Sequence, residues 1–488
     1  MISVEDPKRR HCERRKLAVA MTITWMMLMS ACAVGPNYIR PTVATPAHFK
    51  EDTQSDHLWH DATPADHLDR GAWWTIFSDP ELNALESRVV LSNQNIKQAE
   101  AAYRQAVALA DSARAAFWPT ITANAGASLG KSSAFTGGTN TASKGSTNAS
   151  YTIGATASWV PDVWGGIRRS VEASEANAQR SAADLANAQL SAQGELAQTY
   201  FQLRLTDAQQ KLLDDSVTAY RGALSIKQNQ YDSGIASRAD VMTAQNQMDS
   251  AVARATDLRI VRAQLEHAIA LLVGEPPAQL TVPIAKDWLV KLPDLPLSVP
   301  SEILQRRPDI ASAERNVAQA NAQIGVATAA RFPSLTLSAN GGFANSALSD
   351  LFTLPNGLWS VGAALFGTIF EGGKLAAQER AAYAAHDLSV ALYRQTVLTA
   401  FQQVEDNLAA VRLLKAETSA QDSATKAAKT ALDVTNDQYN AGTASYLQVL
   451  DAQITALSNE GILLGLRSRQ YSSSVSLIMA LGGGLTPL

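Results

Sequence analysis

From Thr120 onward the chain alternates strictly between apolar and polar positions. Ile121, Ala123, Ala125, Ala127 and Leu129 are apolar, while Thr120, Thr122, Asn124, Gly126 and Ser128 between them are polar or glycine. A period of two marks a strand with one apolar and one polar face. A second such stretch carries Tyr151, Ile153, Ala155, Ala157 and Trp159 against Thr152, Gly154, Thr156 and Ser158, after a polar loop over 130–150. Leu335, Leu337, Ala339 and Phe343, then Trp359, Val361, Ala363, Leu365 and Ile369, repeat the pattern later. The chain therefore predicts two β-hairpins with about ten residues per strand.

Elsewhere the period lengthens. Val390, Val397, Val404 and Val411 recur every seven residues, with Tyr393, Phe401, Leu408 and Leu414 between them. That is a heptad stripe of the coiled-coil kind. It lies in a run from Lys374 to Gln438 without Pro or Gly, matched by a run from Arg168 to Tyr231 without Pro. At 1.5 Å per residue each run spans ~100 Å, far beyond an ordinary globular helix. Each run ends at a Gly turn, Gly234 or Gly442, and restarts at Ser237 or Ser445. Ser445 with Gln448 fits a capping box, and Ser237 with Asp240 nearly does.

The chain is written twice. Trp164-Gly165-Gly166 recurs as Glu371-Gly372-Gly373, and Tyr231-Asp232-Ser233-Gly234 as Tyr439-Asn440-Ala441-Gly442. Phe117-Trp118-Pro119 recurs as Arg331-Phe332-Pro333, and Leu272-Val273-Gly274 as Ala480-Leu481-Gly482. Several matches in one order indicate a tandem duplication. The returning helices are expected over about 237–274 and 445–481, the first extended by a helix from Asp309 to Arg331. Between them, the Pro-rich stretch 275–307 reads as a side domain midway along a helical tube.

The strand lengths change meaning once a membrane is considered. A tilted strand of ~9–11 residues crosses a bilayer, and no run of the chain is apolar enough for a spanning helix. Four strands cannot close a barrel, and an open edge in lipid leaves backbone groups unpaired at several kcal/mol each. Barrels of a single chain begin at ~8 strands, so copies of this chain must share one. A homotrimer, with twelve strands, is the smallest assembly that makes a usable pore.

The N-terminus adds an address. Lys8, Arg9, Arg10, Arg14, Arg15 and Lys16 precede an apolar run from Leu17 to Met29, followed by Ser30, Ala31 and Cys32. This is the order of a secretory signal peptide. The stretch before Cys32 resembles the lipobox of bacterial lipoproteins, with Met29 where that motif has Leu, and implies an acylated mature N-terminus at Cys32. Cleavage would remove six basic and three acidic residues, moving the net charge from −4 (41 basic, 45 acidic) to −7 (35 basic, 42 acidic). Such a balance has no basic footprint for a nucleic-acid partner. Only Met242, Met248 and Met479 would survive of eight methionines, which disfavours a copper or silver conduit, since soft cations prefer thioether ligands.

Catalytic signatures do not emerge: there is no phosphate-cradling Gly-rich loop, nucleophile elbow or CxxC, so neither an enzyme nor a cofactor is expected. His57, His60 and His67 stand beside Asp56, Asp61 and Asp66 and could hold a metal, but a solvated linker explains that composition equally. No metal site is expected.

The chain resembles the outer-membrane factor family, the TolC-, OprM- and NodT-like channels, over essentially its whole mature length. The residues that carry the likeness are Cys32-Ala33-Val34-Gly35-Pro36-Asn37-Tyr38 and Trp73-Trp74-Thr75-Ile76-Phe77-Ser78-Asp79-Pro80-Glu81-Leu82. The two Gly turns and Asp451-Ala452-Gln453 complete it. The resemblance implies an α+β fold: a short outer-membrane β-barrel shared by three copies, over a long coiled-coil α-barrel in the periplasm, closed at its tip. It also implies docking on a periplasmic adaptor and an inner-membrane pump, the acylated subtype being closest to partners of proton-driven drug pumps.

On that reading residues 1–31 are the removed signal peptide, 32–78 the acylated linker and 79–118 helices of the α-barrel. Residues 119–163 form the first hairpin of the barrel in outer-membrane lipid and 164–274 the first long helical hairpin. Residues 275–307 form the equatorial segment, 308–332 another barrel helix, 333–370 the second β-hairpin, 371–482 the second helical hairpin and 483–488 the tail. By motif position the periplasmic aperture falls to Asp240, Tyr439 and Asp451, with Gly234, Ser237, Gly442 and Ser445 in the tip turns. Ala444 and Gln448 stand where the family often has Arg and Asp, so ion pairs of that type are absent. Two other functions fit the same sequence: a TolC-type exit for secreted proteins, and a trimeric coiled-coil adhesin, which would need a single passenger stalk.

Overall fold

The computed structural model describes residues 33–44, 46, 49–51, 71–131, 147–285, 288 and 306–483. A 3-10 turn, Trp73–Phe77, leads into helices α1 (Pro80–Ser92) and α2 (Gln94–Ala115), then strands β1 (Thr120–Lys131) and β2 (Thr147–Trp159). Helices α3 (Gly166–Asp232), α4 (Arg238–Leu272) and α5 (Pro308–Ala329) follow, then strands β3 (Ser334–Asn345) and β4 (Gly357–Phe366), and helices α6 (Lys374–Asn440) and α7 (Tyr446–Ala480). The duplication is visible in lengths: α3 and α6 each have 67 residues, α4 and α7 each 35. No described helix is long and apolar enough to cross a membrane.

The chain divides into two compact units. One comprises Met1–Pro41, Arg104–Gln179 and Glu314–Ala391 and holds the sheet. Its strands are antiparallel in the order β1-β2-β3-β4, so β1 and β4 each keep one unpaired edge. The register pairs Ile121 with Ala157, Ala157 with Ala339 and Ala339 with Val361. One row further, Ala123 meets Ala155, Ala155 meets Gly341 and Gly341 meets Trp359. Every odd-numbered apolar position thus falls on one face of all four strands. A slip of one residue anywhere would turn that strand's apolar set to the other face. Strand β4 stops at Phe366, short of the expected Ile369, which is fully exposed.

The other unit comprises Thr42–Tyr103, Arg180–Ala313 and Leu392–Leu488. Its core gathers Trp73, Phe77, Leu82 and Val89 onto Leu196, Tyr200 and Phe201 of α3, Ile269 of α4 and Val475 of α7. Most of the heptad stripe of α6 is buried, with Tyr393, Val397, Phe401, Val404, Leu408 and Leu414 between 0% and 8% exposed, while Val390 and Val411 are half-buried.

One expectation is overturned. The helix expected to extend the first returning helix, Asp309–Arg331, continues the second one instead. Leu272, the last residue of α4, offers its carbonyl to Asn93 Nδ2 at 2.7 Å, at the junction of α1 and α2. Arg307, just before α5, donates from Nη1 to the carbonyl of Ala480 at 3.0 Å, where α7 ends. Helix ends leave carbonyls without intrahelical partners, so each of these donors ties the end of one helix to the start of the next. Asn93 serves both sides, since its Oδ1 also accepts from the amides of Asn95 and Ile96 and starts α2.

Candidate functional site

The two Gly turns are built alike because both chain reversals make the same demands. Gly234 and Gly442 adopt φ of 73° and 76°, where a side chain would be strained. The amide of Ile235 reaches back to Gln230 O at 2.8 Å, and that of Thr443 to Gln438 O at 2.9 Å, closing the carbonyls of α3 and α6. Ser237 and Ser445 then cap α4 and α7 through complete capping boxes. At the first, Asp240 accepts from Ser237 N at 3.0 Å and Ser237 Oγ at 2.9 Å. At the second, Gln448 accepts from Ser445 N at 2.7 Å. Gln448, which stands where the family often has Asp, is thereby occupied as a cap.

What joins the two turns is a residue that sequence reasoning missed. Lys227, on the last turns of α3, is only 6% exposed. Its Nζ donates to Tyr439 Oη at 2.9 Å and to Gln230 Oε1 at 3.2 Å. The ammonium lies 4.2 Å from the ring centroid of Tyr446 and 5.1 Å from that of Tyr439, whose rings are 6.1 Å apart. A cation held over aromatic faces is worth about 0.5–2 kcal/mol, more as water is excluded. Lys227 thus ties the end of α3 to the end of α6 and the start of α7.

The charges at this cluster follow from those contacts. The hydrogen bond from Lys227 holds the Tyr439 hydroxyl below its usual range. Burial pushes the Tyr446 hydroxyl upward. Backbone and side-chain hydrogen bonds from Ser237 hold the Asp240 carboxyl below its ordinary value, with a smaller contribution from the Lys227 ammonium. Asp240 is therefore an ionised, half-exposed carboxylate. Asp451 is exposed, one turn into α7. The structure brings Asp240 and Tyr439 to one cationic centre and leaves Asp451 outside it.

One signal for Lys227 was present. The duplication aligns Lys227 with Thr435 and Tyr439 with Tyr231. The halves differ here, among other tip positions, so Tyr439 meets the cation of the neighbouring hairpin while Tyr231 stays 42% exposed. Cys32, the histidines and aspartates of 56–67, most of 275–307 and nearly all of 483–488 lie outside the described residues.

Comparison with known proteins places these features in context. A family profile described as outer membrane efflux protein matches residues 85–275 and 299–483. The pyoverdine export outer membrane protein OpmQ of Pseudomonas aeruginosa is 31% identical, covering 95% of this chain and 96% of its own. The toluene efflux pump outer membrane protein TtgC of Pseudomonas putida is 30% identical, with 96% and 95% covered. Among solved structures, the outer-membrane channel OprN superposes with a TM-score of 0.83 at 29% identity, over 93% of this chain and all of the other.

Proposed function

The chain belongs to the outer membrane efflux protein family, and from that membership we propose that it assembles as a homotrimeric exit duct for small organic compounds. As a member it is the outer-membrane channel component of a tripartite efflux system, with a large periplasmic part, and its family is one of channels rather than enzymes. The observation that carries the trimer is the sheet: four strands with one continuous apolar face and unpaired outer edges on β1 and β4. Backbone groups on those edges need partners in lipid, and only another copy of the same sheet supplies them with matched facing. Chemical crosslinking in native outer membranes is expected to give a three-chain product. Monomers alone would refute the assembly.

The finer reading has the protein docking on a periplasmic adaptor and a proton-driven inner-membrane pump. Relatives concerned with pyoverdine and toluene support organic cargo. Acylation of Cys32 and cleavage of 1–31 belong to the same reading, as does the division into helical hairpins, β-hairpins and an equatorial segment. The periplasmic tip is the gate: Asp240 and Asp451 supply carboxylates at the aperture, and Tyr439, held by Lys227, keeps the two hairpins together.

A further inference from the structure

Where the helices meet the strands, the sheet-bearing unit contains a cleft of about 350 Å³. Its walls are mostly apolar and include Trp164, Ile167, Val326, Ala329, Phe332 and Leu335. The indole of Trp164 stacks on Phe332 with centroids 4.7 Å apart and donates to Pro333 O at 2.7 Å, so the walls are fixed. The described N-terminal arm reaches this cleft at Ala33 and Val34. Val34 N donates to Trp164 O at 3.1 Å, and a Cβ on Gly165 would lie 2.6 Å from Ala33 Cα. Gly165 has φ of +78°, so the close approach and the backbone turn both require glycine there.

The arm is held there by polar contacts along its length. Arg169, 4% exposed, donates to Val34 O at 3.2 Å, Gly35 O at 3.3 Å and Asn37 Oδ1 at 2.8 Å. Asn321 Nδ2 donates to Pro36 O at 3.0 Å, and the Tyr38 hydroxyl donates to Glu314. Residue 32 is one peptide from Ala33, about 3.8 Å between Cα atoms. Ala33 packs on Gly165, between the cleft-lining Trp164 and Gly166, so a chain carried by its neighbour is tethered within reach of the cleft.

We propose that this cleft is a built-in seat for an acyl chain on Cys32, so that the anchor is packed against its own protein before it reaches bulk lipid. The proposal rests on the acylation of Cys32 given under the proposed function. The cleft sits at the level of the strand ends, where Trp118, Phe366 and Phe370 are 75–88% exposed. Aromatic belts of that kind mark the membrane–water interface. Apolar walls at that depth would face headgroups and water rather than hydrocarbon, and acyl methylenes lying on them would remove that surface from water. The same chain lying in the bilayer would leave the walls wet.

The test uses the full-length protein made in cells fed palmitate carrying a mid-chain diazirine. After irradiation of membranes, peptide mass spectrometry should place crosslinks on Val326, Ala329, Phe332 or Ile167. An Ala330→Trp chain, with the cleft filled, should keep its acyl mass and its crosslinked oligomer but lose those adducts. Crosslinks solely to phospholipid, or to strand residues such as Ile121 and Val361, would overturn the seat while leaving acylation intact. An intact mass showing an unmodified Cys32 would overturn the acylation reading itself, and the seat with it.

Discussion

Lys227 Nζ and Tyr439 Oη lie 2.9 Å apart, joining residues 212 positions distant at the turns of two different helical hairpins. A hydrogen bond from a charged donor is worth about 1.5–3 kcal/mol. That range is large enough to bias a conformational equilibrium between closed and open tips. Replacing Lys227 by Met keeps the bulk and removes the donor. Single-channel recordings in planar bilayers should then show higher conductance or longer openings, and Tyr439→Phe should do the same. Wild-type traces for both variants would show that this pair does not hold the tip shut.

Asp240 and Asp451, multiplied around a threefold axis, would give a ring of carboxylates that attracts cations. Asp240→Ala with Asp451→Ala should abolish cation preference and block by multivalent cations. The depressed Asp240 carboxyl sets the pH dependence. Its charge persists as pH falls through the ordinary aspartate value of about 3.9, so selectivity at pH 5 should equal that at pH 7. Loss of selectivity already between pH 6 and 5 would exclude Asp240 as its source.

Glu86 is 0% exposed, and neither carboxylate oxygen has a hydrogen-bond partner. Burial pushes its carboxyl up to about 9 from 4.5. The unfolded chain ionises above about 4.5 while the folded chain stays protonated, so stability falls as pH rises between those values and levels off above about 9. Glu86→Gln removes that dependence. Its advantage over wild type in chemical denaturation should grow from pH 5 to pH 9 to a few kcal/mol, because a proton held by the folded chain alone costs ~1.4 kcal/mol for each tenfold fall in proton concentration. A constant difference would mean that Glu86 finds a partner or water in solution.

Asn93 is 2% exposed and holds α4 to α2 through both halves of its amide. Asn93→Ala removes a cap, at about 0.5–2 kcal/mol. It also strands the carbonyl of Leu272, at about 1–3 kcal/mol. Asn93→Asp keeps the cap and loses only the donor. Thermal unfolding should therefore rank wild type above Asp above Ala. Equal melting for Asp and Ala would assign the whole effect to the lost donor.

Much of this was legible because the membrane and the coiled coil both write their periods into the chain. Ile121, Ala157, Ala339 and Val361 were readable as one face before any pairing was known, and the register puts them in one row. The stripe from Tyr393 to Leu414 was likewise readable and is buried except at Val411, which is half-buried. The joining of helix ends was not readable, because it depends on which carbonyl a distant Asn93 or Arg307 meets. Lys227 escaped for a similar reason. A lysine in a polar helix is ordinarily solvated, and only its placement over Tyr439 and Tyr446 makes it a cross-link.

In the trimer proposed above, the outer edges of β1 and β4 make insertion a collective act. Each copy then completes its backbone hydrogen bonding only against another, so a misregistered partner spoils the neighbours that must close against it. A chain with its β1 edge disrupted, made alongside intact chains, should act as a dominant poison of the population. Its yield of assembled channel should also rise more steeply than expression, because folded protomers and their concentration are inseparable when assembly supplies the missing bonds.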